Sequence, residues 1–374
     1  MRIQSLGLLN ELLKYSKTFL PSDATAISLN EFKMIEEQGA DSEVYSFILT
    51  YVSKGLNQRK EFALKLYRQR GKSARALSSK EFAILEALKE CSFPVPEAYY
   101  LNISNTINKK PFIIMEKIPG KSALSFLNDE AKAKVLVDKM AQILSRLHKL
   151  DPNCIPESSV LREQYELEQR NLLTAEIFMK KTPRRFFRNC SSRQLRFLAA
   201  VKRLENLKPK KFQPAILHMD YTPGHFVVSN RRFAIVDWTD VVVGDPAFDV
   251  ALAYHYLRIG REREKLDLGE HFINSYTRHA GKTLTNIQIC KDRVILKLAL
   301  RSGLSLFQPS AFSFPIRSFV SLTFGNVFRK LAQASFRHHY QRSMATHHNI
   351  VLRNLDDIQN YIIRYMEKDR YSAM

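Results

Sequence analysis

Two short runs carry the residue types that could do chemistry. His218-Met219-Asp220-Tyr221-Thr222-Pro223-Gly224-His225 is a polar turn with an acid and two imidazoles, and Ile235-Val236-Asp237-Trp238 closes a short apolar stretch after it. Phosphoryl transfer to a hydroxyl asks little covalent help of a protein. It needs one group to accept the attacking hydroxyl's proton and others to hold a metal ion beside the phosphates. The template for that chemistry reads H-x-D-x-x-x-x-N, followed by an Asp at the end of a short strand. Asp220 takes the base position, position 225 the first metal-ligand place and Asp237 the second, while His218 braces the loop through hydrogen bonds. Upstream, Ala63-Leu64-Lys65 lies in a strand pattern. A rigid strand can present a compact ammonium to α- and β-phosphates, whereas a flexible loop would place it poorly. Glu81, on the next helix, is the expected ion-pair partner of Lys65, with Glu86 the competing choice. Gly39 to Ser42 is expected at a hairpin tip where a phosphate-covering loop would lie.

The elements that must position these groups change character along the chain. Up to about residue 118 the pattern is mostly strand. Alternating runs span Phe32 to Gln38, Val44 to Ser53 and Glu61 to Arg68, with turns at Gly39 to Ser42 and Lys54 to Gln58. A helix at Ala76 to Glu90 carries Phe82, Leu85 and Leu88 on one stripe, and strands follow at Ala98 to Ile103 and Pro111 to Ile118. After Pro119-Gly120 helical periodicity dominates, at Ala131 to Leu150, Ser159 to Lys180 and Ser192 to Leu207. The expected division is an N-terminal helical segment (1–29), a β-rich nucleotide-binding lobe (30–118) and a helical lobe with the catalytic loop and the substrate side (119–374).

Composition narrows the partners. The formal charge of +21 over 374 residues favours anionic ligands and disfavours polycationic ones. Part of it is concentrated between Lys180 and Lys211, where twelve Lys or Arg stand against the single acid Glu205. That segment reads either as a solvated helical face or as a site for an anionic ligand, RNA included. Four scattered cysteines, Cys91, Cys154, Cys190 and Cys290, show no metal-ligand spacing and read as reduced thiols. No apolar run is long enough to cross a bilayer, and Met1 to Leu20 lacks the uninterrupted core of a secretory signal, so the cytoplasm is expected. The adjacent pairs His338-His339 and His347-His348 would point apart on a helix, so one shared metal site is not expected of them.

The motifs resemble those of the aminoglycoside phosphotransferase and choline kinase-like family. Its catalytic loop, L-x-H-G-D-x-x-x-x-N, is matched by Leu217-His218-Met219-Asp220 and the residues after it. Its later pattern is matched by Asp237-Trp238 and Gly244-Asp245-Pro246-Ala247-Phe248-Asp249-Val250-Ala251. Phe112-Ile113-Ile114-Met115-Glu116 before Pro119-Gly120, and Leu147-His148, are further matches, over roughly residues 30 to 280. The resemblance implies an α+β, protein-kinase-like two-lobed fold with a small β-rich N-lobe and a large, mainly helical C-lobe. It implies ATP as donor, with Mg²⁺, and adenine hydrogen-bonded to backbone near Glu116, Lys117 and Ile118. It also implies that Asp245 braces the catalytic loop and that Asp249 caps or pins the helix beginning near Pro246. Three positions depart from the pattern: His225 for the metal-ligand Asn, Met219 for Gly, and Thr222 for a common His. A ring nitrogen at 225 points to Mn²⁺ as an alternative ion. The expected activity is ATP-dependent phosphorylation of a hydroxyl on a small molecule, neutral or anionic rather than an aminoglycoside. The competing expectation is a nucleotide-binding pseudokinase that scaffolds an anionic partner.

Overall fold

The computed structural model describes residues 6–35, 42–68, 72–107, 110–181, 209–229, 232–259 and 266–301, with 195, 199, 201–202, 361–362 and 364–365. Gly39, most of the basic segment between 180 and 211, and the four paired C-terminal histidines lie outside the described residues. The chain divides into two compact units. The first comprises Met1–Lys121, Asn153–Pro156 and Phe226–Thr239, and the second Ser122–Pro152, Glu157–His225 and Asp240–Met374. This is the α+β, two-lobed, kinase-like plan.

The first unit is built on a five-stranded antiparallel sheet. Its strands are β1 (Thr25–Met34), β2 (Ser42–Ser53), β3 (Leu56–Tyr67), β4 (Ala98–Ile107) and β5 (Lys110–Glu116), in the order β1-β2-β3-β5-β4. Period-two alternation sorts β3 into two faces. Phe62, Leu64 and Leu66 join Phe47, Phe112 and Ile114 in an aromatic-rich cluster that also takes up Leu12 and Phe19 of helix α1 (Leu6–Phe19). Ala63 and Tyr67 face the other way, packing with Ala74 and Leu77 of helix α2 (Lys72–Glu90). Lys65 lies between Ala63 and Tyr67 on that second face and is 5% exposed. The turn expected over Lys54 to Gln58 is shorter, because Lys54 and Gly55 both adopt positive φ (51° and 72°) and let β3 begin at Leu56. Two positive-φ central residues are what a tight two-residue hairpin requires. Ser42 is not a tip residue but the buried first residue of β2, paired with Tyr67. A second hairpin, Phe226–Val228 with Phe233–Ile235, completes the unit, and the Ile235 N–H donates to the Pro94 carbonyl at 2.9 Å. At Gly120 (φ 132°) an added Cβ would lie 2.2 Å from the Val228 carbonyl oxygen, so the chain can pass this hairpin only as glycine.

The second unit is helical. Helix α3 (Glu130–Leu147) starts at Asp129, whose carboxylate accepts the Lys132 N–H, as expected for an N-cap. Helix α4 (Ser158–Lys181) and the helices Ala247–Arg258, Leu268–Ala280 and Ile287–Arg301 follow. A short antiparallel pair, Ala215–Leu217 with Val242–Gly244, threads between them, with Val242 opposite Leu217. Phe248, Leu252, Tyr254, Val294, Ile295 and Tyr361 form the centre of this unit's core. Cys91, Cys154 and Cys290 are free thiols; Cys190 lies outside the described residues. Among the described residues no helix is long and apolar enough to cross a membrane.

Candidate active site

Within the first unit, Lys65 is the centre of a closed polar cluster. Its Nζ donates to Glu81 Oε1 at 2.7 Å and Oε2 at 2.8 Å, and to Asp237 Oδ1 at 2.7 Å. Glu81 is 1% exposed and receives further bonds, from the Tyr67 hydroxyl at 2.5 Å and from the Trp238 N–H at 3.2 Å. Glu86 is exposed and takes no part. One positive charge therefore sits between two negative ones. Lys65 and Glu81 are buried as a pair, while Asp237 keeps 31% of its side chain exposed, which spares the second anion the full cost of desolvation. Burial works to lower the Lys65 pKa, but the charges of Asp237 and Glu81 outweigh it and hold the ammonium above the ordinary lysine value. Burial and then the Glu81 charge push the Tyr67 phenol well up, which keeps it a donor.

Asp237 reaches this cluster through its backbone. It has φ of 66°, a left-handed conformation that costs a non-glycine residue about 1 kcal/mol and that Asp tolerates better than most. The next residue, Trp238, is fully buried against Phe93, with its indole N–H on the Ile235 carbonyl at 2.9 Å. It is a packing residue. Two residues past Asp237, the Thr239 hydroxyl lies 2.7 Å from Asp237 Oδ1, 3.0 Å from Glu81 Oε2 and 3.0 Å from Lys65 Nζ. Tyr67 and Thr239 were not singled out in the sequence. The available signal was spacing: Tyr67 shares a strand face with Lys65.

At the end of β5, Glu116 binds the Arg232 guanidinium at 2.5 Å, and its N–H donates to the Glu97 carbonyl at 2.8 Å. Ile118 is buried and Lys117 half-buried.

The second group lies in the helical unit. Asp220 sits on the loop after Ala215–Leu217, its side chain 27% exposed. His218 is fully buried, and its Nδ1 accepts the Asp220 N–H at 3.3 Å. The loop is pinned by Asp249. Its two carboxylate oxygens accept the N–H groups of His218 at 2.7 Å and Met219 at 2.8 Å, and His148 Nε2 lies 3.5 Å away. Here the structure corrects the expected division of labour. Asp249, not Asp245, braces the loop, because in the first turn of the helix its side chain is fully buried against the loop backbone. Asp245 instead accepts the Ala247 N–H at 2.9 Å just before the helix and the Asn286 amide N–H at 2.6 Å, tying the helix start to Asn286. Met219, where the family pattern has Gly, takes φ of 64° while its side chain is buried in the core.

His225 ends a short 3₁₀ turn, and its Nδ1 lies 2.9 Å from the Asp220 backbone carbonyl. A carbonyl only accepts, so Nδ1 carries the proton, and Nε2 is the nitrogen with a lone pair in the neutral ring. Among the described residues no group of three or more His, Cys, Asp or Glu gathers to hold a metal ion. Asp237, in the first unit, carries a hard carboxylate oxygen of the kind Mg²⁺ prefers, and His225, in the second, a softer imidazole nitrogen that suits later divalent ions such as Mn²⁺.

The model of a family described as the phosphotransferase enzyme family matches residues 38–282. The chain belongs to that family. Among solved structures, a Ralstonia eutropha protein put forward as an aminoglycoside phosphotransferase is similar at 14% identity and TM-score 0.52, covering 94% of this chain and 98% of that one. A spectinomycin phosphotransferase, solved with ADP and spectinomycin, is similar at 14% identity and TM-score 0.50, covering 92% and 99%. At such identities the likeness is one of fold. A curated relative, acyl-CoA dehydrogenase family member 10 of Mus musculus, is 26% identical over 227 residues, 55% of this chain. The match spans only 20% of that relative's length. The family matched here is thus a phosphotransferase one, and both groups of residues lie inside the matched span.

Proposed function

We propose that this phosphotransferase moves the terminal phosphoryl group of ATP to a hydroxyl of a small molecule. The observation that carries the reading is the buried Lys65, fixed on a strand and flanked by Glu81 and Asp237. A saturated ion cluster of one cation and two anions has little structural economy, since apolar side chains of similar volume would pack as well without desolvation. It does suit an ammonium that must meet phosphates in one orientation. In this reading Lys65 orients the α- and β-phosphates and Glu81 keeps it aimed. Asp220 takes the acceptor's proton as its oxygen attacks the γ-phosphorus and the bond to the β-phosphate oxygen breaks, leaving ADP and a phosphorylated product. Asp237 would offer its carboxylate oxygen to a divalent ion that neutralises phosphate charge when bound, and His225 Nε2 is a second candidate donor. The backbone at Glu116, Lys117 and Ile118 would receive the adenine, with Ala63 beside it on the face of β3 that carries Lys65.

The formal charge of +21 favours a neutral or anionic acceptor over an aminoglycoside. The test is turnover: ATP consumption over a panel of hydroxylated metabolites, sugars, sugar phosphates and nucleosides, with aminoglycosides as the contrasting set. Consumption driven only by aminoglycosides would reverse the assignment of acceptor. A second reading, nucleotide binding without transfer, rests on the imidazole at position 225 and on the tie of its Nδ1 to the Asp220 carbonyl. Nucleotide-dependent stabilisation with no turnover of any acceptor would favour it.

A further inference from the structure

The contacts around Lys65 contain one more oxygen than the ammonium has protons. Glu81 Oε1, Glu81 Oε2, Asp237 Oδ1 and Thr239 Oγ1 lie at 2.7, 2.8, 2.7 and 3.0 Å from Nζ. Glu81 already has four donors besides Thr239: two bonds from Lys65, one from the Tyr67 hydroxyl and one from the Trp238 N–H. An ionised carboxylate offers about four lone-pair sites, so Glu81 is filled. Thr239 has one hydroxyl proton, and its nearest acceptor is Asp237 Oδ1 at 2.7 Å rather than Glu81 Oε2 at 3.0 Å. Asp237 Oδ1 is therefore held from two sides, by Lys65 and by Thr239.

The two donors differ in what they must do next. If Lys65 is to serve phosphates, some of its bonding must pass from Asp237 to phosphate oxygens. Glu81 keeps the lysine in place through that exchange, but nothing about Glu81 steadies Asp237. The geometry points to Thr239 as a positioning residue that holds the Asp237 carboxylate in its ligating orientation while Lys65 changes partners. Its hydroxyl is fixed in turn by the backbone, since the left-handed φ of 66° at Asp237 turns the chain so that residue 239 returns to the carboxylate of residue 237. This inference rests on the phosphate-site reading above and assigns to Thr239 a role that acts only through Asp237.

The test separates Asp237 from Lys65. Thr239→Val keeps the shape of the side chain and removes the hydroxyl, and Thr239→Ser restores it. Thermal stabilisation by ATP, titrated with Mg²⁺ and with Mn²⁺ and repeated in EDTA, reads binding without turnover. The expected result is a metal half-saturation raised about tenfold in Thr239→Val, as for loss of a hydrogen bond to a charged group. Metal-free ATP binding should be unchanged, and Thr239→Ser should behave as wild type. In an Asp237→Ala background, adding Thr239→Val should change nothing further. A wild-type metal dependence in Thr239→Val, or an equal loss with and without Asp237, overturns the inference alone. Absence of any nucleotide-dependent stabilisation of the wild type overturns the phosphate-site reading and this inference with it.

Discussion

The Lys65 cluster and the Asp220 loop hold their functional groups by opposite means. Lys65, Glu81 and Asp237 are fixed by side-chain charge: each is a partner of the others, and Lys65 and Glu81 are almost sealed from water. Asp220 is fixed mainly by the backbone of its own loop, which hangs on the Asp249 carboxylate, and its side chain, 3.6 Å from His225 Nδ1, keeps part of its exposure. The difference matches what each group must do. A phosphate-orienting ammonium works best when it cannot choose another direction. A base has to meet an incoming hydroxyl, so its carboxylate cannot be consumed by the scaffold. It follows that damage to the first region should appear in stability and nucleotide binding together, and damage to the second mainly in turnover.

The sharpest way to break that contrast is Asp220→Asn. Turnover should fall about 10²–10⁴-fold, the usual worth of a positioned base, while ATP-dependent thermal stabilisation stays at the wild-type level. A parallel loss of nucleotide binding would show that the loop residue also belongs to the binding half. Glu81→Ala should act in the other sense, lowering stability in urea by about 1–3 kcal/mol, because Lys65 keeps Asp237 but loses two acceptors and the buried Tyr67 hydroxyl loses its own. Glu86→Ala, on the exposed side of α2, should stay within about 0.5 kcal/mol.

Asp249→Asn tests whether the catalytic loop is held by its backbone. One carboxylate oxygen becomes an amide donor facing an N–H, so stability should drop by about 1–3 kcal/mol and turnover should fall without loss of ATP affinity. Asp245→Ala removes the buried bonds from Ala247 and Asn286 and should cost about 1–3 kcal/mol while leaving the catalytic loop's backbone bonds, and so turnover, in place. Urea unfolding and steady-state kinetics on the two variants would show whether the exchange of roles between these acids holds.

A pH titration sharpens the comparison without touching either region. His255 is fully buried in the helical unit, with Nε2 3.0 Å from the Lys291 carbonyl and Nδ1 2.8 Å from the Tyr361 hydroxyl. The carbonyl takes the Nε2 proton, so Nδ1 accepts from the phenol and the neutral ring is satisfied. Burial first, then the nearby Lys291 and Arg258 charges, hold its pKa well below 6.5 against the opposing bond to the Lys291 backbone. The unfolded chain binds this proton and the folded one does not. Its contribution is therefore complete above pH 6.5 and is lost as pH falls below that value, by up to about 1.4 kcal/mol per pH unit. His255→Gln should flatten the slope of unfolding free energy against pH between 6.5 and 5. The smallest effect expected is at the metal place, where His225→Asn should move the preference for divalent ions a few-fold from Mn²⁺ towards Mg²⁺ in turnover assays.

Much of this was readable from residue types and spacing alone. Period-two alternation along β3 puts Lys65 on the opposite face from Phe62, Leu64 and Leu66, and the helix after it offers Glu81 and Glu86 as partners. The loop around Asp220 and the later Gly244-Asp245-Pro246 run are recognisable as local strings because each is short and chemically constrained. Three features needed the tertiary structure. The choice between Glu81 and Glu86 depends on which side of α2 faces the sheet, and burial decides it. The roles of Asp245 and Asp249 depend on how the helix Ala247–Arg258 docks under the loop. Two acids four residues apart look alike until one meets the backbone of His218 and Met219. Thr239 was invisible because its place near Lys65 comes from a positive φ at Asp237, a backbone state that no hydrophobic period or charge pattern reports. Sequence carries the identity of the groups and their local geometry. Which lone pair meets which proton is settled only where distant segments pack, since hydrogen-bond partners are chosen by distance in space.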